Sequence, residues 1–376
     1  MRLGFDLRPF LRAETGVGVY LRNLLHYLAI LDPENEYCLF SASLKDRFPK
    51  EKLPRFHRRR FRDLVFPVRL LNFFWYRFSW PPLELFFLRR LDLTHSPTPF
   101  LLPCRGKMIV TVHDLFAFDH PEMAEAGWAF PRRLIPCLTR ADGIITFSRF
   151  MASEITRRFP AVIPSKVKVI PHGLDPFFLQ PVLPEDLKNW EERFHPPAKY
   201  LVFVGTLEPR KNLERLIRAM KIVRSECPGY HLLLIGKGGK EERKLRQLVS
   251  ALSLEDAVHF VGYVNLVDLK IFYHRAVALV LPSLVEGFGF PLLEAMACGL
   301  PAVVSGVTAL PEVGDQAAVY FDPESYEDIA RAIVFLLQSP SLQAELRQAG
   351  KKRAADFSWE KAAAKTLEFY RQVLGK

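Results

Sequence analysis

Short apolar runs rich in β-branched residues recur along the chain, each followed by a longer segment whose apolar positions keep a helical period. In the first half the runs span residues 2–7, 37–42, 108–113, 143–148 and 166–170. In the second they span 200–205, 231–236, 259–262, 278–281, 301–305 and 317–321. Runs that are apolar on both faces and separated by helices predict buried parallel sheets. Leu213, Leu216, Ile217, Met220 and Val223 share one helical face behind a capping Asn212, and Trp359, Ala363, Leu367, Tyr370 and Leu374 form a stripe behind Ser358. Between the halves, Pro171 to Pro197 also contains Pro176, Pro181, Pro184 and Pro196, a density that breaks regular elements. The expected fold is α/β, with two facing, doubly wound Rossmann-like domains and a cleft between them. Their expected extents are 1–180 and 181–376, joined through a linker near 180–198, with the last helix, 358–376, free to pack back on the first domain.

Composition agrees with this picture. The 376 residues correspond to roughly two or three domains at about 150 residues each. Half of the chain is apolar (49%) and a quarter charged (25%), which excludes disordered, collagen-like and disulfide-scaffold classes. The formal charge of +11 admits three partners: nucleic acid, an anionic membrane face or a phosphorylated small molecule. Five scattered cysteines without a Cys-x-x-Cys pair favour a reducing compartment over a disulfide framework or zinc knuckle. The opening Met1-Arg2-Leu3-Gly4-Phe5-Asp6 has no apolar core of a signal peptide, and no run approaches the ~20 apolar residues of a spanning helix. The expected location is cytoplasmic.

The densest chemical signal runs from Glu286 through Gly287, Phe288, Gly289, Phe290 and Pro291 to Glu294, closing at Gly299. Pro291 suits a helix start and Gly299 its stop. Two glycines let backbone N–H groups approach a phosphate at the positive end of that helix. Glu294, expected in the first helical turn, can accept ribose hydroxyls, and Glu286 on the loop can reach another part of the ligand. The alternative is that Glu294 complements the helix dipole and the glycines only turn the chain. A second signal is Gly205-Thr206-Leu207-Glu208-Pro209-Arg210-Lys211-Asn212, where a basic pair at a strand end suits a diphosphate. Alone, such a pair also fits a solvated helix start. Ligands of open α/β sheets gather at strand carboxyl ends, so the two signals can share one site.

These residues, with Phe357-Ser358-Trp359-Glu360 near the end, resemble the donor half of retaining glycosyltransferases of family 4, whose Glu-x7-Glu motif Glu286 and Glu294 match. The resemblance implies the GT-B fold and covers essentially the whole chain, most strongly beyond residue 200. It implies that Glu294 holds the nucleotide ribose and Glu286 the donor sugar. It further implies that Gly287, Phe288, Gly289 and Phe290 offer backbone donors, and that Arg210 and Lys211 neutralise the leaving diphosphate. Tyr263 and Val264 resemble the stretch bordering the base. Many members have Gly-Arg where this chain has Gly205-Thr206, so Arg210 must supply the second charge from another position. In the first half, Thr15-Gly16-Val17-Gly18 resembles the family's glycine loop beneath the diphosphate, and His113 the histidine beside the reacting sugar; a lone histidine is otherwise a structural residue. Pro171-His172-Gly173-Leu174-Asp175 resembles the turn leaving the first domain. No Asp-x-Asp occurs, so no metal and no cofactor is expected, the nucleotide diphosphate sugar being a substrate.

Residues 55–90 hold nine arginines against Asp63 and Glu84, with eleven interleaved aromatics. This composition suits an interfacial segment on anionic lipid, which would bring the enzyme to a glycan or lipid-linked acceptor on the inner membrane face. A buried aromatic helix with solvated arginines is the alternative. The expected function is retaining, metal-independent hexosyl transfer, mannose first, in surface polysaccharide or glycolipid synthesis. A nucleotide-sugar epimerase of the same fold is the competing enzyme. Nucleic-acid binding would leave Glu286 and Glu294 unexplained, and a non-catalytic sugar-binding module would not need a phosphate cradle.

Overall fold

A computed structural model describes residues 1–11, 16–120, 129–239 and 241–376. The chain forms two compact units, Met1–Gly173 with Ser358–Lys376, and Leu174–Phe357. The first is built on β1 (Arg2–Asp6), β2 (Glu36–Ser43), β3 (Arg59–Val65), β4 (Leu93–Ser96), β5 (Lys107–Thr111), β6 (Gly143–Thr146) and β7 (Val167–Val169), in the order β3-β2-β1-β4-β5-β6-β7. The second contains β8 (Tyr200–Val204), β9 (His231–Ile235), β10 (Val258–Gly262), β11 (Ala278–Leu281), β12 (Ala302–Ser305) and β13 (Val319–Phe321), in the order β10-β9-β8-β11-β12-β13. Every pairing is parallel. Both sheets are doubly wound, with helices covering both faces.

Two strands lack the apolar run that reveals the other eleven. β4, Leu-Thr-His-Ser, is wholly buried although three of its four residues are polar. Thr94 donates to the Leu102 carbonyl at 2.8 Å, and His95 bonds on both ring nitrogens, so burial leaves neither unsatisfied. β3 is an edge strand carrying Arg59, Arg60 and Arg62, charges that discourage pairing with a further chain. It occupies part of the arginine-rich segment, which is therefore not one continuous amphipathic element: β3 is followed by the helices Val68–Phe78 and Glu84–Phe87.

The proline-rich stretch is not a linker. The division between units falls at Gly173–Leu174, and residues beyond it belong to the second unit. Pro176 and Pro184 open the helical turns Pro176–Leu179 and Pro184–Phe194, where the missing N–H would have had no partner in any case. Trp190 of the latter helix is buried against Phe272 at 4.8 Å, anchoring it to the second unit.

The last helix, Trp359–Val373, is counted with the first unit and packs beside the helix Gly16–Leu31. Ser358 caps it by accepting from Lys361 N. A Cβ on Gly173 would collide with the Trp359 backbone, so glycine is required at this crossing. Deeper in, the Tyr370 hydroxyl lies 2.6 Å from His95 Nδ1, and His95 Nε2 lies 2.8 Å from Thr111 Oγ1, which in turn meets the Tyr20 hydroxyl at 3.2 Å. Burial pushes the His95 imidazole down to about 3, so it is neutral in this network. Tyr370→Phe leaves a buried ring nitrogen unsatisfied and is expected to cost about 1–3 kcal/mol. Urea denaturation followed by hydrogen exchange should show a lower midpoint with protection lost first in the last helix.

Candidate functional site

In the second sheet β8 lies between β9 and β11, so the chain reverses its winding between β8 and β11. Chain segments leaving the carboxyl ends of these two strands wind in opposite directions, the kind of switch point at which open α/β sheets bind ligands. The β8 loop carries Gly205 to Asn212 and the β11 loop Pro282 to Gly289. Leu284 N donates to the Arg210 carbonyl at 2.8 Å, joining the loops directly. Asn212 precedes the helix Leu213–Glu226, as its position predicts, but its side chain makes no capping bond. Held left-handed at φ +57°, it donates from Nδ2 to the carbonyls of Pro282 at 3.0 Å and Pro323 at 2.7 Å. Asn tolerates that conformation better than most residues, and its amide ties both loops in place.

This scaffold brings Arg210, Lys211 and Glu286 together. Lys211 Nζ lies 2.5 Å from Glu286 Oε1, Ser283 Oγ donates to the same oxygen at 2.8 Å, and Arg210 Nη1 donates to Oε2 at 3.3 Å. Arg210 also pairs with Glu208 at 3.0 Å. Lys211 and Glu286 are buried. Burial alone would raise the Glu286 carboxyl, but the Lys211 and Arg210 charges outweigh it and hold the group down to about 2. Burial lowers the Lys211 ammonium, and Glu286 opposes that shift. The result is two cations held side by side by one carboxylate, an arrangement able to receive a polyanion.

Glu294 is not in the first turn of its helix. The helix Phe290–Ala297 is capped by Gly289, and Glu294 is its fifth residue. It cannot complement the positive helix end, since that effect fades within the first turn. Instead it is half-buried and accepts from the Tyr273 hydroxyl at 3.0 Å. Burial raises its carboxyl to about 7; the Tyr273 hydrogen bond pulls against the shift and the Asp175 charge adds to it. Gly289 has φ +103°, and a Cβ there would meet Leu310 Cδ2 at 2.6 Å, so this glycine is structurally required. Gly287 and Phe288 are buried, with the Phe288 ring between Phe290 at 5.8 Å and Phe357 at 5.7 Å. Gly299 follows the helix at φ +71°. Tyr263 and Val264 follow β10 on the same carboxyl edge, with Lys237 Nζ 5.2 Å from the exposed Tyr263 ring.

In the first unit, His113 lies just beyond β5 and its Nε2 donates to the Pro97 carbonyl, just beyond β4, at 2.8 Å. A carbonyl only accepts, which assigns the proton to Nε2 and leaves Nδ1 a lone pair. Burial lowers its basicity, against the opposing effects of Pro97 and Asp114, so the ring is neutral near pH 7. Tyr20 meets it edge-on at 5.3 Å, Phe147 lies tilted to it at 4.9 Å and His172 lies near-parallel at 6.2 Å. Gly16 and Gly18 do not form a loop: they open the helix Gly16–Leu31. Gly18 is buried, and a Cβ on it would meet no atom of the described residues beyond its own helix within 4 Å. Thr15 lies outside the described residues.

Sequence reasoning did not single out Tyr273, Ser283, Thr308 or Tyr20. Ser283 borders the Glu286 motif and was within reach. Thr308, which accepts from Glu286 N at 3.2 Å, and Tyr273 come from other elements and carry no local pattern. Among the described residues no group of three or more His, Cys, Asp or Glu is gathered to hold a metal.

The family described as "Glycosyltransferase Family 4" matches residues 15–177, and that described as "Glycosyl transferases group 1" matches residues 185–353. O-antigen chain mannosyltransferase B of Escherichia coli is 33% identical over 391 residues, covering 99% of this chain and all of the relative (100%). O-antigen chain mannosyltransferase RfbU of Salmonella typhimurium is 29% identical, covering 72% of this chain and 73% of the relative. Sucrose-phosphate synthase from Thermosynechococcus elongatus has a similar solved structure, with TM-score 0.75 and 22% identity over 100% of this chain and 99% of that one.

The environment of Glu294 sets a pH dependence of stability. Its folded carboxyl stays protonated to about pH 7, whereas the unfolded one ionises near 4.5. Between these values the unfolded state binds fewer protons, so the contribution of this group to stability falls as pH rises, by at most about 3 kcal/mol. Glu294→Gln removes that loss. Denaturation curves should coincide near pH 4.5 and show the variant more stable at pH 8; equal stabilities at pH 8 would contradict the assignment.

Proposed function

The chain belongs to glycosyltransferase family 4, and from that premise we propose that it transfers a hexose from a nucleoside diphosphate sugar to an acceptor hydroxyl, with retention and without a metal. Mannose, carried by GDP, is the sugar we assign, because the relatives similar over most or all of this chain include O-antigen mannosyltransferases. The acceptor is a growing surface glycan or its lipid-linked form, met at the cytoplasmic face of a membrane through residues 55–90. No helix among the described residues is long and apolar enough to cross a membrane, so that contact is peripheral.

The observation that carries this reading is the Arg210–Lys211–Glu286 cluster at the switch point of the second sheet. As the anomeric C–O bond breaks, negative charge accumulates on the departing diphosphate. Lys211 as a point charge and Arg210 as a planar fork stabilise it where water is excluded, and the groups need little reorientation. These two cations take the role for which other transferases recruit a divalent ion. Glu286 is engaged by Lys211, Ser283 and Arg210, which suits a charge partner near the donor sugar better than an attacking nucleophile. Retention then follows from attack of the acceptor oxygen on the face the diphosphate leaves, with a diphosphate oxygen taking the acceptor proton. Glu294 accepts the ribose hydroxyls. The loop from Gly287 to Phe290 meets sugar and phosphate, Tyr263 and Val264 border the base, and Gly16 with Gly18 let the first helix approach the diphosphate. His113, neutral, offers its Nδ1 lone pair to a donor-sugar hydroxyl.

Incubation with GDP-mannose, UDP-glucose or ADP-glucose, with and without a short mannan acceptor, tests the reading. GDP release that depends on acceptor and yields an α-linked product by NMR is expected; conversion of donor sugar without acceptor would instead identify an epimerase. Lys211→Ala should lower kcat by about 10²–10³-fold with an unchanged circular dichroism spectrum, and near-wild-type turnover would sink the assignment. Exhaustive chelation with EDTA is expected to leave the rate unaltered.

A further inference from the structure

The arginine-rich segment of the first unit ends its edge strand and enters the helix Val68–Phe78, of which only Leu71 and Trp75 are buried. That excludes a buried aromatic helix. Trp75 is fixed from several sides: its Nε1 donates to the Pro81 carbonyl at 2.9 Å, its ring meets Phe40 at 5.8 Å, and the Arg8 guanidinium lies 4.9 Å above it. Arg8 also donates to Asn72 Oδ1 at 3.0 Å while Asp6, at the carboxyl end of β1, holds it with a 2.7 Å ion pair. The helix is thus strutted to the carboxyl edge of the sheet, where open α/β sheets bind ligands.

Its opposite face is apolar and open. Phe73, Phe78 and Trp80 are each 57% exposed, and Leu70 is 44% exposed. Their rings touch one another instead of the core: Phe73 meets Phe74 at 5.7 Å and Phe78 at 6.3 Å, and Phe74 meets Trp80 at 6.5 Å. Arg69 and Arg77 share the exposed face at helical spacing with Phe73, and Arg140 borders it through Ser79 Oγ at 3.3 Å. Both carboxylates of the segment are turned inward. Asp63 accepts from Phe48 N and pairs with Arg47, and the buried Glu84 accepts from Arg105 N.

We propose that Leu70, Phe73, Phe78 and Trp80, flanked by Arg69 and Arg77, form an interfacial wedge for a bilayer rich in anionic headgroups, delivering the carboxyl edge of the first sheet to a membrane-presented acceptor. The proposal deepens the membrane contact within the proposed function. Aromatic side chains with an apolar body suit the headgroup boundary, and Arg69 and Arg77 fit anionic lipid by charge.

Flotation with vesicles of phosphatidylcholine alone, or mixed with phosphatidylglycerol, tests it without donor or acceptor, so the result is independent of the transfer reaction. The wild-type protein should float with the mixed vesicles, less so at high salt. The combined substitution Phe73→Ser, Phe78→Ser and Trp80→Ser should weaken binding about tenfold or more, while Arg69→Glu with Arg77→Glu should abolish the preference for anionic vesicles. Both variants should keep the wild-type unfolding midpoint and turnover on a short water-soluble acceptor. Absence of lipid-dependent flotation, or variants that bind like wild type, would overturn the proposal. So would a change of oligomeric state in the serine variant without a loss of flotation, which would give the face to a second copy, or tighter binding to single-stranded RNA than to vesicles.

Discussion

Burying Glu286 beside Lys211 and Arg210 is the constraint from which the second unit's other features follow. A carboxylate removed from water is costly unless its oxygens are occupied and opposite charge is close. Here Oε1 takes Lys211 and Ser283, and Oε2 takes Arg210. Holding that geometry requires two loops, far apart in sequence, to keep their spacing. The Asn212 amide, the Leu284–Arg210 backbone bond and Thr308 beneath Glu286 N provide the rigidity. Winding reversal between β8 and β11 is what makes those loops neighbours in the first place.

Two glutamates of one short motif end in opposite electrostatic states. Glu286 is held ionised by adjacent cations, whereas Glu294, out of water beside a tyrosine hydroxyl and Asp175, resists ionisation to about pH 7. Pairs of carboxyl groups whose surroundings drive them apart in this way commonly divide their tasks. In the proposed reaction one holds the two cations that meet the departing diphosphate, and the other meets neutral hydroxyls, for which a carboxyl easily protonated or ionised is well suited.

The first unit uses neutral polar groups instead. His95, Thr111, Tyr20 and Tyr370 form a buried network that satisfies the imidazole of the polar strand β4 and fastens the last helix to the sheet. Tyr20, at one end of it, also packs edge-on against His113, so the network that stabilises this unit also limits how that imidazole is oriented.

Local pattern was sufficient where a physical requirement is local. Eleven strands announced themselves through apolar runs, because burial within a parallel sheet is most simply met by apolar residues. Glu286, Lys211 and the glycine at 289 stood out because the proposed phosphate site needs charge and close backbone approach at a strand end. Several features had no such signature. β4 is polar, and its burial depends on partners from Tyr370 and Thr111. The prolines near residue 180 read as a linker because proline breaks elements, yet it also begins them, and only packing of Trp190 distinguishes the two. Gly16 and Gly18 read as a loop but open a helix, and Glu294 lies a turn deeper than its distance from Pro291 suggested. The sequence by itself determined the fold class and the identity of the charged groups, since both reside in residue type and spacing. Tertiary structure alone decided that two cations would share one carboxylate and that Tyr273 would face Glu294. It also left Phe73, Phe78 and Trp80 outward, because these outcomes depend on which distant elements the sheets bring into contact.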